Sequence, residues 1–184
     1  MKFVCLFLLS VLSIACLIRY GRWFLARIYT YLQLRNITKK ANLKFTVHGS
    51  DWLFARNGDG KVSYTIETPD TVYFIHLCGS IPLRCSYIFK DETHWILRKY
   101  ALLGRGQDYT ESAISVQPIR IPEEVVTIAA EQIVYLFAPV PLGSGIVMPD
   151  GRVVPVGPGQ EIPGGVLHNV DSFCASIVEG GGGE

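Results

Sequence analysis

The chain has 184 residues, 49% of them hydrophobic, with 17 Lys and Arg against 16 Asp and Glu and a formal net charge of +1. Once an N-terminal segment is set aside, the remainder has the size of one ordinary domain, with enough apolar content to fill a core without disulfides or a structural metal. The charge is unevenly spread. Residues 1–50 carry eight of the 17 cations (Lys2, Arg19, Arg22, Arg27, Arg35, Lys39, Lys40, Lys44) and no acid, while residues 51–184 hold all 16 acids against the other nine cations, a net of −7. A cationic first quarter on an acidic body points to anionic lipid as a partner, with nucleic acid the second choice, and the acidic body argues against a general grip on a nucleic-acid backbone.

Residues 3–18 form an uninterrupted run without a charged residue. Sixteen helical residues rise about 24 Å, a little short of a hydrocarbon core of about 30 Å. Tyr20, Gly21, Trp23, Phe24 and Leu25 extend the span if the arginines snorkel and the aromatics sit among headgroups. We therefore expect a transmembrane signal-anchor helix over residues 1–19, with Arg19, Arg22, Trp23 and Arg27 at the membrane interface. Lys2 alone precedes the run and four arginines follow it, so the positive-inside rule puts the C-terminal body in the cytoplasm. The rival reading takes Ser13-Ile14-Ala15-Cys16 as a lipobox, which would make an exported lipoprotein anchored at Cys16. Leu17-Ile18 and then arginines, in place of a polar tether, weigh against it. Residues 20–40 hold no Pro and one Gly, and are read as a basic juxtamembrane helix ending near Lys40, lying on lipid or against the domain.

From 41 to 178 the pattern changes to that of an α+β (or α/β) single domain with a mixed β-sheet. The stretch 52–68, "WLFARNGDGKVSYTIET", reads as a hairpin turning at residues 57–60. "TVYFIHLCG", 71–79, is a continuous apolar run, the mark of a central strand buried on both faces. Residues 85–100 form a second hairpin, turning at Lys90-Asp91-Glu92-Thr93. Residues 101–121 are polar and read as a surface loop. Pro122-Glu123-Glu124 opens a helix, and 132–137 is a second buried strand. A short hairpin surrounds Pro149-Asp150-Gly151, and 157–165 is a Gly/Pro loop. Asn169 caps a C-terminal helix, and 179–184 is a disordered Gly-rich tail. Of five cysteines, Cys78 and Cys85 are too far apart for a CxxC pair and read, with Cys174, as reduced buried thiols.

The order of helix, hairpin, "SYTIETPDTVYFIHL", later strand and terminal helix resembles the core of restriction-endonuclease-like (PD-(D/E)xK-type) nucleases. It is similar also to small uncharacterised proteins of Firmicutes with an "IETPDTVY" stretch. The resemblance, over about residues 25–178, implies two acids holding Mg²⁺ and a lysine placing the water. Here the first acid falls near Ser63 and the second pair on Phe74 and His76, so the motif is degenerate. Glu67 and Asp70, near the strand ends, and His76 are the candidate catalytic residues, although Asp70 reads as a turn acid and His76 as a hydrogen-bonded core histidine. No His or Cys pair has metal-ligand spacing, and no cofactor is expected. The expected function is that of a membrane-anchored, non-catalytic interaction module bound to lipid and to a protein partner. A metal-dependent nuclease or other hydrolase with a displaced site is the first alternative, and an exported lipoprotein binding domain the second.

Overall fold

A computed structural model of the chain describes residues 2–49, 59–79, 84–101, 108–122 and 129–181; within its helices, the side chains of 2–6, 8, 9, 12, 15–19 and 179–181 lie outside the description. The order is α1 (Lys2–Lys40), β1 (Lys44–Val47), β2 (Tyr64–Glu67), β3 (Thr71–Cys78), β4 (Cys85–Phe89), β5 (His94–Tyr100), β6 (Tyr109–Ser115), β7 (Ala130–Phe137), β8 (Gly143–Val147), β9 (Val153–Val156), β10 (Glu161–Ile162), β11 (Gly165–His168) and α2 (Val170–Gly181). The fold is α+β, but its strands form two mixed sheets where one was expected. They run β1-β2-β3-β7-β11-β10 and β6-β5-β4-β8-β9. In the first, β3, β7 and β11 are parallel neighbours, and in the second β4 and β8 are.

Side-chain alternation along the central strands makes three layers. Ile75 and Leu77 of β3, with Val134 and Leu136 of β7, face Leu34 of α1 and Val170, Phe173 and Ile177 of α2. On the other face of the same sheet, Cys78, Tyr135, Phe137 and Leu167 meet Tyr87, Phe89, Trp95 and Leu97 of the second sheet. β3 is thus covered on both sides, as its unbroken apolar run requires.

α1 is one helix through positions 19 and 20, so the expected anchor and juxtamembrane segments share a single rod. Asn42, at φ 52°, terminates it, and the amide of Leu43 returns to the carbonyl of Thr38 at 2.8 Å. Among the described residues no helix is long and apolar enough to cross a membrane; most side chains of the 3–18 run lie outside them. α2 is closed at its start by a reciprocal cap: Ser172 N donates to Asn169 Oδ1 at 2.8 Å and Asn169 N to Ser172 Oγ at 3.2 Å.

The β4–β5 hairpin turns where expected, with Asp91 accepting the amide and hydroxyl of Thr93, both at 2.8 Å. Those bonds hold its exposed carboxyl down at about 2. The β8–β9 hairpin likewise turns at Gly151, φ 82°. Three expectations change. β2 pairs with residues 44–47, and the 52–56 stretch expected to be its partner lies outside the described residues. The supposed loop 101–121 holds β6, and the Gly/Pro loop 157–165 gives way to β10 and the start of β11. The helix expected after Pro122 falls on residues 123–128, outside the description.

Candidate functional site

Glu67 ends β2 and forms a 2.7 Å ion pair with Lys44, its cross-strand partner. Asp70 is exposed in the turn closed by Thr68, whose Oγ1 donates to the carbonyl of Thr71 at 2.8 Å. His76 lies six residues further along β3, about 20 Å away at strand rise. The three candidates therefore do not meet in one cleft. The positions that the nuclease resemblance selects are also closed: Ser63 Oγ accepts the amide of Leu77 at 3.2 Å, and Phe74 is fully buried in the core. Among the described residues no three His, Cys, Asp or Glu groups come together to hold a metal ion.

What gathers at the far end of β3 is a buried polar cluster. His76 is fully buried and its Nδ1–H donates to the carbonyl of Lys61 at 2.6 Å, which leaves Nε2 as the unprotonated nitrogen. Nε2 is buried without a hydrogen-bond partner among the described residues, and the ring stands edge-on to Tyr135 at 5.8 Å. Burial pushes its pKa below the ordinary 6.5 and Arg27 adds to the fall; the Lys61 carbonyl and Asp59, 3.8 Å from Nδ1, oppose it.

Arg27, expected among lipid phosphates, is instead fully buried in the domain. Its guanidinium lies over the Trp23 ring at 4.2 Å. Burial lowers its pKa to about 10, opposed by Cys78, Tyr64, Tyr87 and Asp59, so it remains a cation at neutral pH. Burial pushes the Cys78 thiol and the Tyr64 phenol up. A neutral imidazole, a protonated thiol and a buried cation make no activated nucleophile; the cluster fastens α1 to the sheet. Arg22 is exposed on α1, Trp23 is half-buried, and the Arg19 side chain lies outside the described residues.

Because the folded state favours neutral His76, the unfolded chain binds more protons below pH 6.5. Stability is therefore greatest above that value and falls as pH drops toward the folded-state pKa. Thermal melts of the full chain between pH 7 and 5 should show Tm falling with pH, and the slope should be shallower in His76→Gln. His168, whose pKa burial also lowers, supplies the remaining slope. An unchanged slope in His76→Gln would remove this account of the cluster.

A second feature opens outward. A cleft of about 250 Å³ sits at the C-terminal ends of the parallel strands β7 and β11, lined by Phe137, Val140, Leu142, Ser144, His168 and Asn169 among others. His168 Nδ1 is 3.1 Å from Ser172 Oγ. The cleft is smaller than most small-molecule sites, and more of its lining is apolar than polar. Val140 and Leu142 on its rim are 56% and 62% exposed.

Sequence reasoning missed Arg27 as a domain residue, although its spacing to Leu34 and Thr38 gives the signal. His168 and Ser144, which no local motif marks, line the cleft. No protein-family model, no characterised protein and no solved structure matches the chain.

Proposed function

We propose that this chain is a membrane-anchored, non-catalytic interaction module. The apolar start of α1 inserts in the bilayer, the arginines behind it keep the folded body on the cytoplasmic side, and the cleft face is offered to a protein partner. One observation carries the reading: α1 continues unbroken to Lys2, and along that stretch Phe7, Val11 and Ile14 are 68%, 48% and 58% exposed among the described residues. A row of such side chains in water is unfavourable, at about 25 cal/mol per Å² of apolar surface, and lipid removes the penalty. The separation of Glu67 and Asp70 from His76, and the closure of His76 from solvent, support a binding role over hydrolysis.

The test is fractionation of cells expressing the full chain. Wild type should stay with membranes through alkaline carbonate, and protease added outside intact cells should leave the body uncut. Val11→Arg with Ile14→Arg should move the protein to the soluble fraction with its melting curve unchanged. Release of wild type by carbonate, or digestion of the body from outside, would overturn the proposal. Palmitate incorporated at Cys16 would favour the lipoprotein instead.

A further inference from the structure

Two stripes run along α1. The first is filled: Arg27, Thr30, Leu34 and Thr38 are all at or below 2% exposure, turned into the domain. The second is open. Phe7, Val11 and Ile14 are followed by Leu25, 65% exposed, and Leu32, 53% exposed. Leu25 and Leu32 each stand two residues before a member of the buried stripe, Arg27 and Leu34. That is about 200° around the helix, so the two stripes face opposite ways.

The open stripe has a regular period. In the sequence, positions 7, 11, 14, 18, 21, 25, 28 and 32 alternate steps of four and three, the spacing of a two-helix seam; Phe7, Val11, Ile14, Leu25 and Leu32 are exposed, Gly21 and Ile28 are half-buried, and the Ile18 side chain lies outside the described residues. All are apolar residues except Gly21, where an added Cβ would meet no atom within 4 Å, so a second backbone is free to come close. The period passes from the apolar run into the region of Arg22 and Arg27 without a break.

We infer that α1 pairs in parallel with the α1 of a second copy of this chain along this seam. Lipid alone accounts for Phe7, Val11 and Ile14, and for Leu25 at the edge of the span, but it imposes no period of 3.5 and does not account for Leu32, which lies past Arg19, Arg22 and Arg27. A partner matching both an apolar half and a polar half over the same length is met by an identical helix in register. In that register like cations first face each other at Arg35, one step past Leu32, where the seam stops. From Phe7 to Leu32 it is about 38 Å long, and half the circumference of a helix about 11 Å across gives an area on the order of 650 Å² per copy. A standard stable interface takes about 800 Å² per partner, so the seam approaches that size before any contact between the bodies.

The test uses the full chain in phosphatidylglycerol-containing vesicles, with Cys5→Ser and Cys16→Ser clearing thiols from the helix and this parent as the blank. Leu25→Cys and Leu32→Cys should each give a disulfide-linked dimer on copper-phenanthroline oxidation. Tyr20→Cys is 52% exposed in the native residue but lies on the side of the buried stripe, and it should cross-link at least tenfold more slowly. Leu25→Lys with Leu32→Lys should halve the mass of the detergent-solubilised protein. Equal rates at all three cysteines, or a monomeric wild type, would overturn the pairing. Flotation of the same vesicles reports the anchor independently, so protein that floats without cross-linking sinks the pairing alone and leaves lipid as the cover.

Discussion

Trp95→Ala should lower the unfolding free energy by about 3–5 kcal/mol, the range for deleting a large buried aromatic. Trp95 is 1% exposed on β5 and stands where the two sheets meet. Its ring is 5.0 Å from Phe89 on one side and 5.2 Å from Tyr135 on the other, both edge-on. Truncation therefore opens a cavity between two backbones that are each held by neighbouring strands and cannot collapse into it. Trp95→Phe should cost much less, about 1.5 kcal/mol or under. The indole Nε1 is buried without a partner among the described residues, so its loss also relieves an unpaired donor. Denaturant titration of both variants checks the ordering. A loss below about 1 kcal/mol in Trp95→Ala would mean that the sheets are not packed through this ring.

Gly165→Val should be nearly as damaging, by a different route. A Cβ at Gly165 would lie 2.6 Å from the carbonyl oxygen of Ile133 and 3.0 Å from Tyr135 Cε2, both on the adjacent strand β7. The carbonyl is backbone in a sheet interior, so β11 itself has to move. Overpacking of this kind costs about 1–3 kcal/mol, and more where a strand shifts. Because β11 ends at one wall of the cleft, the variant should also lose whatever partner binding the cleft supports. Gly143→Ala is the control, since its added methyl meets nothing within 4 Å and should change stability by no more than about 0.5 kcal/mol. Equal melting temperatures for Gly165→Val and Gly143→Ala would show that β11 does not lie against β7 as described.

Much of the local structure is legible in the sequence because local chemistry decides it. The charge-free run of residues 71–79 gives a strand buried on both faces, Asp91 and Thr93 give the β4–β5 turn, and Asn169 with Ser172 gives the start of α2. The errors fall where distant chain decides. β6 is an edge strand whose residues are mostly exposed, so Thr110, Glu111 and Ser112 read as loop, yet Glu111 pairs with Arg98 of β5 at 2.7 Å. β11 is four residues long and begins on a glycine that a neighbouring backbone requires, a requirement invisible without that neighbour. The division into two sheets rests on pairings such as Ser86 with Gly143, far apart in the chain. Arg27 defeats the reading by residue type: a cation beside an apolar run is assigned to the surface, and here its helical spacing carries it into the interior.

If residues 3–18 insert in a bilayer as proposed, the uninterrupted α1 would act as a lever and not as a tether. Ile18 and Arg27 stand nine positions apart, about 14 Å of helical rise, so the body would have a fixed standoff from the membrane surface and a fixed heading about the rod. It would not swivel to search for a partner. Any tilt imposed on the inserted end would then pass along the rod to the cleft, and bilayer thickness would set the height at which a partner approaches.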